Sequence, residues 1–372
     1  MSDILTTHWR ALWLTLAAIA IVLLAAPVAQ AADYHLYFGD LHTHTSYSDG
    51  EGTPTEAFAA AKAARADFMA TTDHHYQLNA WEWADTIAAA AAATDDSFVA
   101  IAAYEYHMPG IGEINIYAAE DMPRGIVGHG TTKNGAPDHR PRENALSFVY
   151  DWIVANDAIG HWNHPNYYVG DRWGDFLDYA EQTADRDAGM CLLEIFNKEI
   201  QEASYAMALD AGWHALPSSN SDTHEANWIS GEEVRTVLLA PELTREALFE
   251  AMRERRGYGT RDRNLRVDFT VDGATIGSHT LPGAAHVVAV SVENPSDADG
   301  EPADPSEDVT LLELVSDGGE VVGSYQPAEG NTATWSTTVP GGCSYIYLRV
   351  WTAGEFEIAG PTAWTAPVWM TP

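Results

Sequence analysis

Between Tyr34 and Ala240 the chain alternates short apolar runs with longer helix-like stretches, and this alternation restricts the fold more than any other feature. The runs are HLYFGDLH, DFMATTDH, SFVAIAAYEYH, EINIYAA, AIGHWNH, CLLEIF, HALPSSNSD and VRTVLLA. Most place four or more apolar residues before a polar end, the pattern of a buried strand. Between them lie TPTEAFAAAKAARA, the alanine-rich stretch from Tyr76 to Thr94, ENALSFVYDWIVAND, EASYAMALDAG and TREALFEAMRERRG, which read as helices. The first of these has Thr53 to cap it, Pro54 at its first position and Glu56 to complete a capping box. Strands that alternate with helices predict βα units and a parallel sheet, hence an α/β fold that can close into a barrel.

After Gly259 the pattern changes. Residues 267–372 hold no helix-like stretch but many short alternating runs, RVDFTV, HVVAVSV, VTLLELV, TATWSTTV and YIYLRVW, separated by Gly, Pro and Asp. This reads as a small all-β sandwich. It carries 15 acidic residues against one basic residue, Arg349, and seven of the acids fall within residues 293–308. The spacing of Asp297, Asp299 and Gly300 does not fit an EF-hand loop, so that segment reads as a solvated acidic loop.

At the amino terminus, His8 and Arg10 precede an apolar run from Ala11 to Ala26, then Pro27 and the triplet Ala29, Gln30, Ala31. The reading is a signal peptide, residues 1–31, cleaved before Ala32, because a membrane span needs about 20 apolar residues. The chain is then exported, periplasmic or secreted, with no stable membrane anchor after cleavage. An exported chain permits a disulfide between Cys191 and Cys343, but Cys191 opens an apolar run and reads as a buried strand residue. With no other cysteine, a metal site must use nitrogen and oxygen ligands.

The formal charge is −35, from 19 Lys+Arg and 54 Asp+Glu, which excludes nonspecific nucleic-acid binding. The histidines carry the chemical signal. Thirteen of the 15 precede residue 225, and many stand beside carboxylates at predicted strand ends. His42 and His44 are two apart, so both side chains leave one face of a strand and can grip one ion. Later ends supply Asp73, His74 and His75, then Glu105 and His107, then His161 and His164, then Asp222 and His224. Imidazole and carboxylate suit Zn²⁺, Mn²⁺ or Fe²⁺, and Glu105 is the natural bridge because a carboxylate offers two oxygens.

The ordered set DLHTHTSYSDG (Asp40 to Gly50), TTDHH (Thr71 to His75), Glu105, NHP (Asn163 to Pro165) and SDTH (Ser221 to His224) resembles the motifs of the PHP domain, the polymerase and histidinol phosphatase superfamily. The likeness covers residues 34–262, and RRGYGT (Arg255 to Thr260) resembles the segment that closes that domain. Exported members of the carbaryl hydrolase-like type also carry a C-terminal β-domain that ends much like AWTAPVW (Ala363 to Trp369). The resemblance implies a distorted βα barrel over residues 32–262, a β-sandwich over residues 263–372, and two or three divalent ions. Carried across, His42, His44, Glu105 and Asp222 hold the first ion, Glu105 and His164 the second, and Asp49, His74 and His224 the third. One position departs from the family: its Gly-His-x-Asn stretch reads Gly112, Glu113, Ile114, Asn115 here. Either Glu113 replaces the missing histidine or His107 serves from another direction. His161 and Asn197 are further groups able to orient a ligand or substrate.

The expected chemistry is hydrolysis by a metal-activated water, which needs no protein nucleophile. No Gly-x-Ser-x-Gly elbow, His-Glu-x-x-His helix or P-loop is present. The substrate is expected to be a small phosphorylated or ester compound, and a phosphoesterase is the first reading. A carbamate, amide or ester hydrolase is the alternative, and a noncatalytic envelope or metal-binding protein is a third. Arg140, Arg142 and Arg172 are candidate anion contacts, and the loop from Gly128 to Arg142 is a candidate rim of the site.

Overall fold

The computed structural model describes residues 34–108, 110–122, 142–165, 176–296 and 305–371. Residues 1–31, the rim loop before Arg142, Arg140, Arg172 and much of the acidic loop lie outside these described residues. From Tyr34 onward the chain forms one compact unit of mixed α/β structure. No helix among the described residues is long and apolar enough to cross a membrane.

The eight predicted runs all contain strands, with one break that matters. β1 (His35–Asp40) pairs in parallel with β2 (Phe68–Thr71), which pairs in parallel with β3 (Val99–Ala102). The run SFVAIAAYEYH then divides at Ala103, and β4 (Tyr104–Met108) belongs to a second sheet. There β4 pairs antiparallel with β5 (Gly112–Tyr117), and β5 antiparallel with β6 (Ile159–Asn163). Parallel pairing resumes with β7 (Met190–Asn197) and β9 (Leu216–Ser219), while β8 (Glu199–Ile200) folds back on β7. On the far side of β1 come β10 (Arg235–Ala240) and β11 (Gly257–Thr260), both antiparallel.

Among the described residues the hydrogen bonds therefore draw separate sheets and not one closed ring. The first two sheets meet at two seams. At one, His74 bridges Glu105 and the His75 amide donates to the Glu105 carbonyl. At the other, Thr43 bridges Thr223 and the Asp222 amide donates to the His42 carbonyl. Both seams fall where the predicted histidines and carboxylates lie.

The helices cover the strands. α1 (Pro54–Ala63) begins with the expected capping box, and α2 (Ala80–Ala93) has another from Asn79 and Glu82. α3 (Arg142–Ala155), α5 (Glu202–Asp210) and α6 (Arg245–Arg253) match the predicted stretches, whereas the short α4 (Ala184–Gly189) was not anticipated. Trp162 is fully buried against Tyr179 and Trp213, part of an aromatic core behind β6.

Beyond residue 262 the described chain is strands and two short 3₁₀ turns. β12 (Arg266–Val271), β13 (Ala274–Thr275), β15 (Ala285–Glu293) and β18 (Thr332–Pro340) form one sheet, while β14 (His279–Thr280) pairs in parallel with β21 (Val368–Met370). Exposed and buried residues alternate strictly along β15, and its inward valines share a core with Leu312, Leu314 and Leu348. Those leucines belong to β16 (Val309–Ser316) and β19 (Tyr345–Thr352), which pair antiparallel, with β17 (Glu320–Tyr325) at the edge. β20 (Ala363–Thr365) bonds β19 on one side and β11 on the other, so the large sheet runs across the boundary expected after residue 262. Val237 and Phe68 share the same apolar cluster as the β15 valines. Cys191 is buried on β7, and both cysteines are free.

Candidate metal centre

The loop after β1 is built to aim two imidazoles inward. Buried Asp40 accepts from the His42 amide at 3.0 Å and the Ser221 amide at 3.2 Å, which ties the turn after β1 to the turn after β9. Asp73, a sequence candidate by position, instead holds this loop: it accepts from the Thr45 amide and hydroxyl at 2.9 and 2.7 Å and from Ser48 at 2.6 Å. His75 stacks on Tyr106 at 4.1 Å, and its Nδ1 accepts from the His107 amide at 3.2 Å. What remains at the strand ends converges on Glu105.

Glu105 is 1% exposed and divides its oxygens between four histidines. Oε1 lies 3.3 Å from His42 Nε2 and 3.2 Å from His164 Nε2, while Oε2 lies 3.5 Å from His44 Nε2 and 2.8 Å from His74 Nδ1. Asn163 donates to Oε1 at 2.7 Å and fixes the carboxylate's rotation. Asp222 Oδ1 stands 3.3 Å from His42 Nε2 and 3.1 Å from His44 Nε2. Further out, Asp49 reaches His74 Nε2 at 3.5 Å and His224 Nε2 at 3.3 Å.

Four sets of donor atoms are close enough to hold an ion: His42, His44 and Asp222; His42, Glu105 and His164; His74, Glu105 and Glu113; and His44, Asp49, His74 and His224. All eight principal candidates fall in these sets, and His44 faces the outer set as well as the inner one. Glu113 joins them because β5 runs antiparallel to β6, which lays the start of β5 beside the end of β6, with Glu113 opposite Asn163. Its Oε2 is 3.3 Å from His164 Nε2, and its Oε1 is 2.7 Å from His107 Nδ1. His107 therefore backs Glu113 and enters none of the four sets.

His161 turns the other way, bonding Tyr117 at 2.8 Å and Ser218 at 2.6 Å; burial pushes its pKa down to about 3, so the ring is neutral. Asn197 donates to Glu194 at 3.0 Å and lies 3.4 Å from Asp222. Two residues escaped the sequence reading. Glu194, fully buried, meets His42 Nδ1 at 2.9 Å; the signal was a carboxylate interrupting the apolar run CLLEIF. Lys198 donates to the Asp222 carbonyl at 3.1 Å and lies 3.7 Å from its carboxylate. His164, Lys198 and Asp222 all adopt positive φ, at 23°, 56° and 48°. Such strain clusters at functional sites.

Two observations test whether a metal fits. Donor atoms that share one ion at about 2.1 Å lie about 3.0–3.4 Å apart, the spacing seen around His42, His44 and Asp222. Moreover, His74 Nδ1 and Asp222 Oδ1 are buried and make no hydrogen bond, although each has a donor or acceptor within 3.1 Å in the wrong direction for one. Each belongs to at least one of the four donor sets, where a bound cation would satisfy it.

The electrostatics agree. Burial alone would discharge His42, yet Asp222, Glu194 and Glu105 hold its pKa well above the ordinary imidazole value. His74 and His164 are raised in the same way, against burial, chiefly by Glu105 and Asp49 and by Glu105 and Glu113 respectively. Burial opposes ionisation of Glu105, but His42 and His74 hold it well below the carboxylate range, and burial of Glu194 is likewise overcome by His42, to about 2. Side-chain exposures of 44% at Asp49 and 37% at His224, against 0–1% at His42, His44 and Glu105, make the outer set the side open to solvent.

No family model matches the sequence, and no curated protein matches it. Among solved structures the chain is similar to a two-domain protein from Bacteroides vulgatus containing a predicted PHP-like metal-dependent phosphoesterase, at 15% identity and TM-score 0.45, covering 90% of this chain and 96% of that one. It is also similar to an amidohydrolase from Chromobacterium violaceum with bound sulfate and no metal, at 20% identity and TM-score 0.33, covering 50% and 87%. A candidate metal-dependent phosphoesterase from Bifidobacterium adolescentis follows, at 15% identity and TM-score 0.35, covering 59% and 96%. At these scores the likeness assigns neither a fold family nor a reaction to this chain.

Proposed function

We propose that this chain is an exported, PHP-like metal-dependent hydrolase, a phosphoesterase acting on small molecules, and that its first two sheets are the halves of a distorted βα barrel with the metals at one end. The observation that carries the reading is the convergence of His42, His44, His74, His164 and Glu113 on Glu105, with Asp222 set against His42 and His44 and with buried donor atoms left unbonded. The ligands are His42, His44, Asp49, His74, Glu105, His164, Asp222 and His224, with Glu113 standing where the family has a histidine. That exchange makes the set richer in oxygen and favours harder ions such as Mn²⁺ over Zn²⁺.

Divalent ions held there supply Lewis acidity and a water nucleophile of lowered pKa. The chain's own residues do the rest. Glu105 keeps neighbouring sets at a fixed spacing through its two oxygens, and Asn163 stops it rotating. Asp49 and His224 form the open lip at which substrate arrives. Lys198 offers an ammonium beside Asp222, suited to a phosphoryl oxygen in surroundings otherwise dominated by carboxylates.

Elemental analysis of purified protein, followed by phosphomonoester, phosphodiester, aryl-ester and carbamate panels with Mn²⁺, Zn²⁺ or Fe²⁺, tests the reading. Stoichiometric metal with phosphoester turnover supports it. Turnover of carbamates or aryl esters alone selects the alternative hydrolase, and metal-replete protein that hydrolyses nothing removes the enzyme.

A further inference from the structure

We infer that Glu194 is a positioning residue that sets the ligands of two inner metal sites at once. The inference rests on the metal-centre reading above. Glu194 is the one charged side chain on β7, a strand whose eight residues are all buried. Its carboxylate is saturated. Oε1 accepts from His42 Nδ1 at 2.9 Å and Asn220 Nδ2 at 2.9 Å; Oε2 accepts from the His164 amide at 2.7 Å and Asn197 Nδ2 at 3.0 Å.

Each bond has a consequence at the cluster. An ionised carboxylate only accepts, so His42 must present N–H at Nδ1. The neutral ring then keeps its lone pair at Nε2, the atom that faces His44, Glu105 and Asp222 at 3.2, 3.3 and 3.3 Å. The bond to the His164 amide holds that residue at φ 23°, the conformation that brings its Nε2 to Glu105. Asn197 and Asn220 extend the grip: Asn197 reaches Asp222, and Asn220 Oδ1 accepts from the Leu41 amide at 2.9 Å, one residue before His42. Among the described residues no lysine or arginine pairs with Glu194. Its one close ion-pair partner among the described residues is His42, so the carboxylate acts on the cluster through that ring.

The consequence is specific. Glu194 bonds His42, whose Nε2 faces His44 and Asp222, and separately the amide of His164, whose ring faces Glu105, so its loss loosens a ligand of each of two ions, whereas loss of a lip residue such as Asp49 loosens only the outer one. Groups that orient metal-bound histidines typically change affinity about 10–100-fold.

The test is a chelator competition with Mn²⁺ and with Zn²⁺ on the full chain, comparing wild type, Glu194→Gln and Asp49→Asn, alongside ¹⁵N spectra of the histidine rings in metal-loaded protein. Glu194→Gln keeps the shape but removes the charge. The expected result is about a 10–100-fold loss at two ions with the fold retained by circular dichroism, and loss of the protected His42 Nδ1 proton. Wild-type affinity, or loss at a single ion, overturns the inference while leaving the metal centre standing. A wild-type protein that holds no stoichiometric ion removes the metal-centre reading and this inference with it. If Glu194→Gln does not fold, Glu194→Asp, which keeps the charge but withdraws it by one methylene, is measured instead; wild-type affinity at both ions there overturns the inference equally.

Discussion

Lowering the pH should strip metal from this protein far more steeply than ordinary histidines would allow. His42, His74 and His164 all have pKa values raised well above the imidazole norm by the carboxylates around them. In the metal-free chain these rings are therefore protonated at neutral pH, and an ion must displace the protons to bind. Each displaced proton changes the binding free energy by about 1.4 kcal/mol per pH unit, so three change the combined affinity by up to about a thousandfold per unit. With unshifted rings the effect would flatten above about pH 7, near the ordinary value of 6.5; with raised values it persists through neutrality. The assay is calorimetric titration with Mn²⁺ in buffers of different ionisation enthalpy, which counts released protons directly, at several values from about pH 6 to 8. Fewer than one proton released near neutrality would refute the reasoning. Stability has a matching sign. The raised histidine values stabilise the metal-free fold fully below the unfolded pKa, and that contribution is lost as pH rises through the folded values. Chelated protein should therefore lose thermal stability on the alkaline side, where metal-bound protein keeps it.

Three other outcomes follow from the geometry. His42→Ala with His44→Ala should abolish bound metal at the inner site and all hydrolysis while the protein stays folded, and full activity in that variant would overturn the ligand assignment. Glu113→Gln should weaken one ion by about 10–100-fold, because a charged ligand becomes a neutral one, whereas His107→Ala, which only backs Glu113, should cost less than tenfold; metal titrations of the two in parallel decide between them. Lys198→Met should raise KM for phosphoesters about 10–100-fold, the range of a charge-assisted hydrogen bond, with metal content unchanged, and an unchanged KM would remove Lys198 from substrate contact.

Much of this molecule is legible along the chain because its causes are local. Apolar runs of strand length, the capping box of Thr53 and Glu56, and histidines placed just past strand ends depend on a few neighbouring residues each, and strands and helices stand where those patterns put them. Most of the candidate ligands stand out for the same reason, as histidines and carboxylates just past strand ends, while Asp49 and the grouping by ion are what the family resemblance implies. Tertiary structure decided what depends on distant pairings. The break at Ala103 sends two halves of one apolar run into different sheets, and no local pattern marks it, since both halves are equally suited to strands. That Glu113 faces His164 while His107 lies behind Glu113 follows from β5 running antiparallel to β6. Glu194 lies 152 residues from the His42 it orients. A carboxylate in a buried strand announces that it must have a partner, because an unpaired buried charge is too costly to keep. Which partner it finds is settled only when the chain closes.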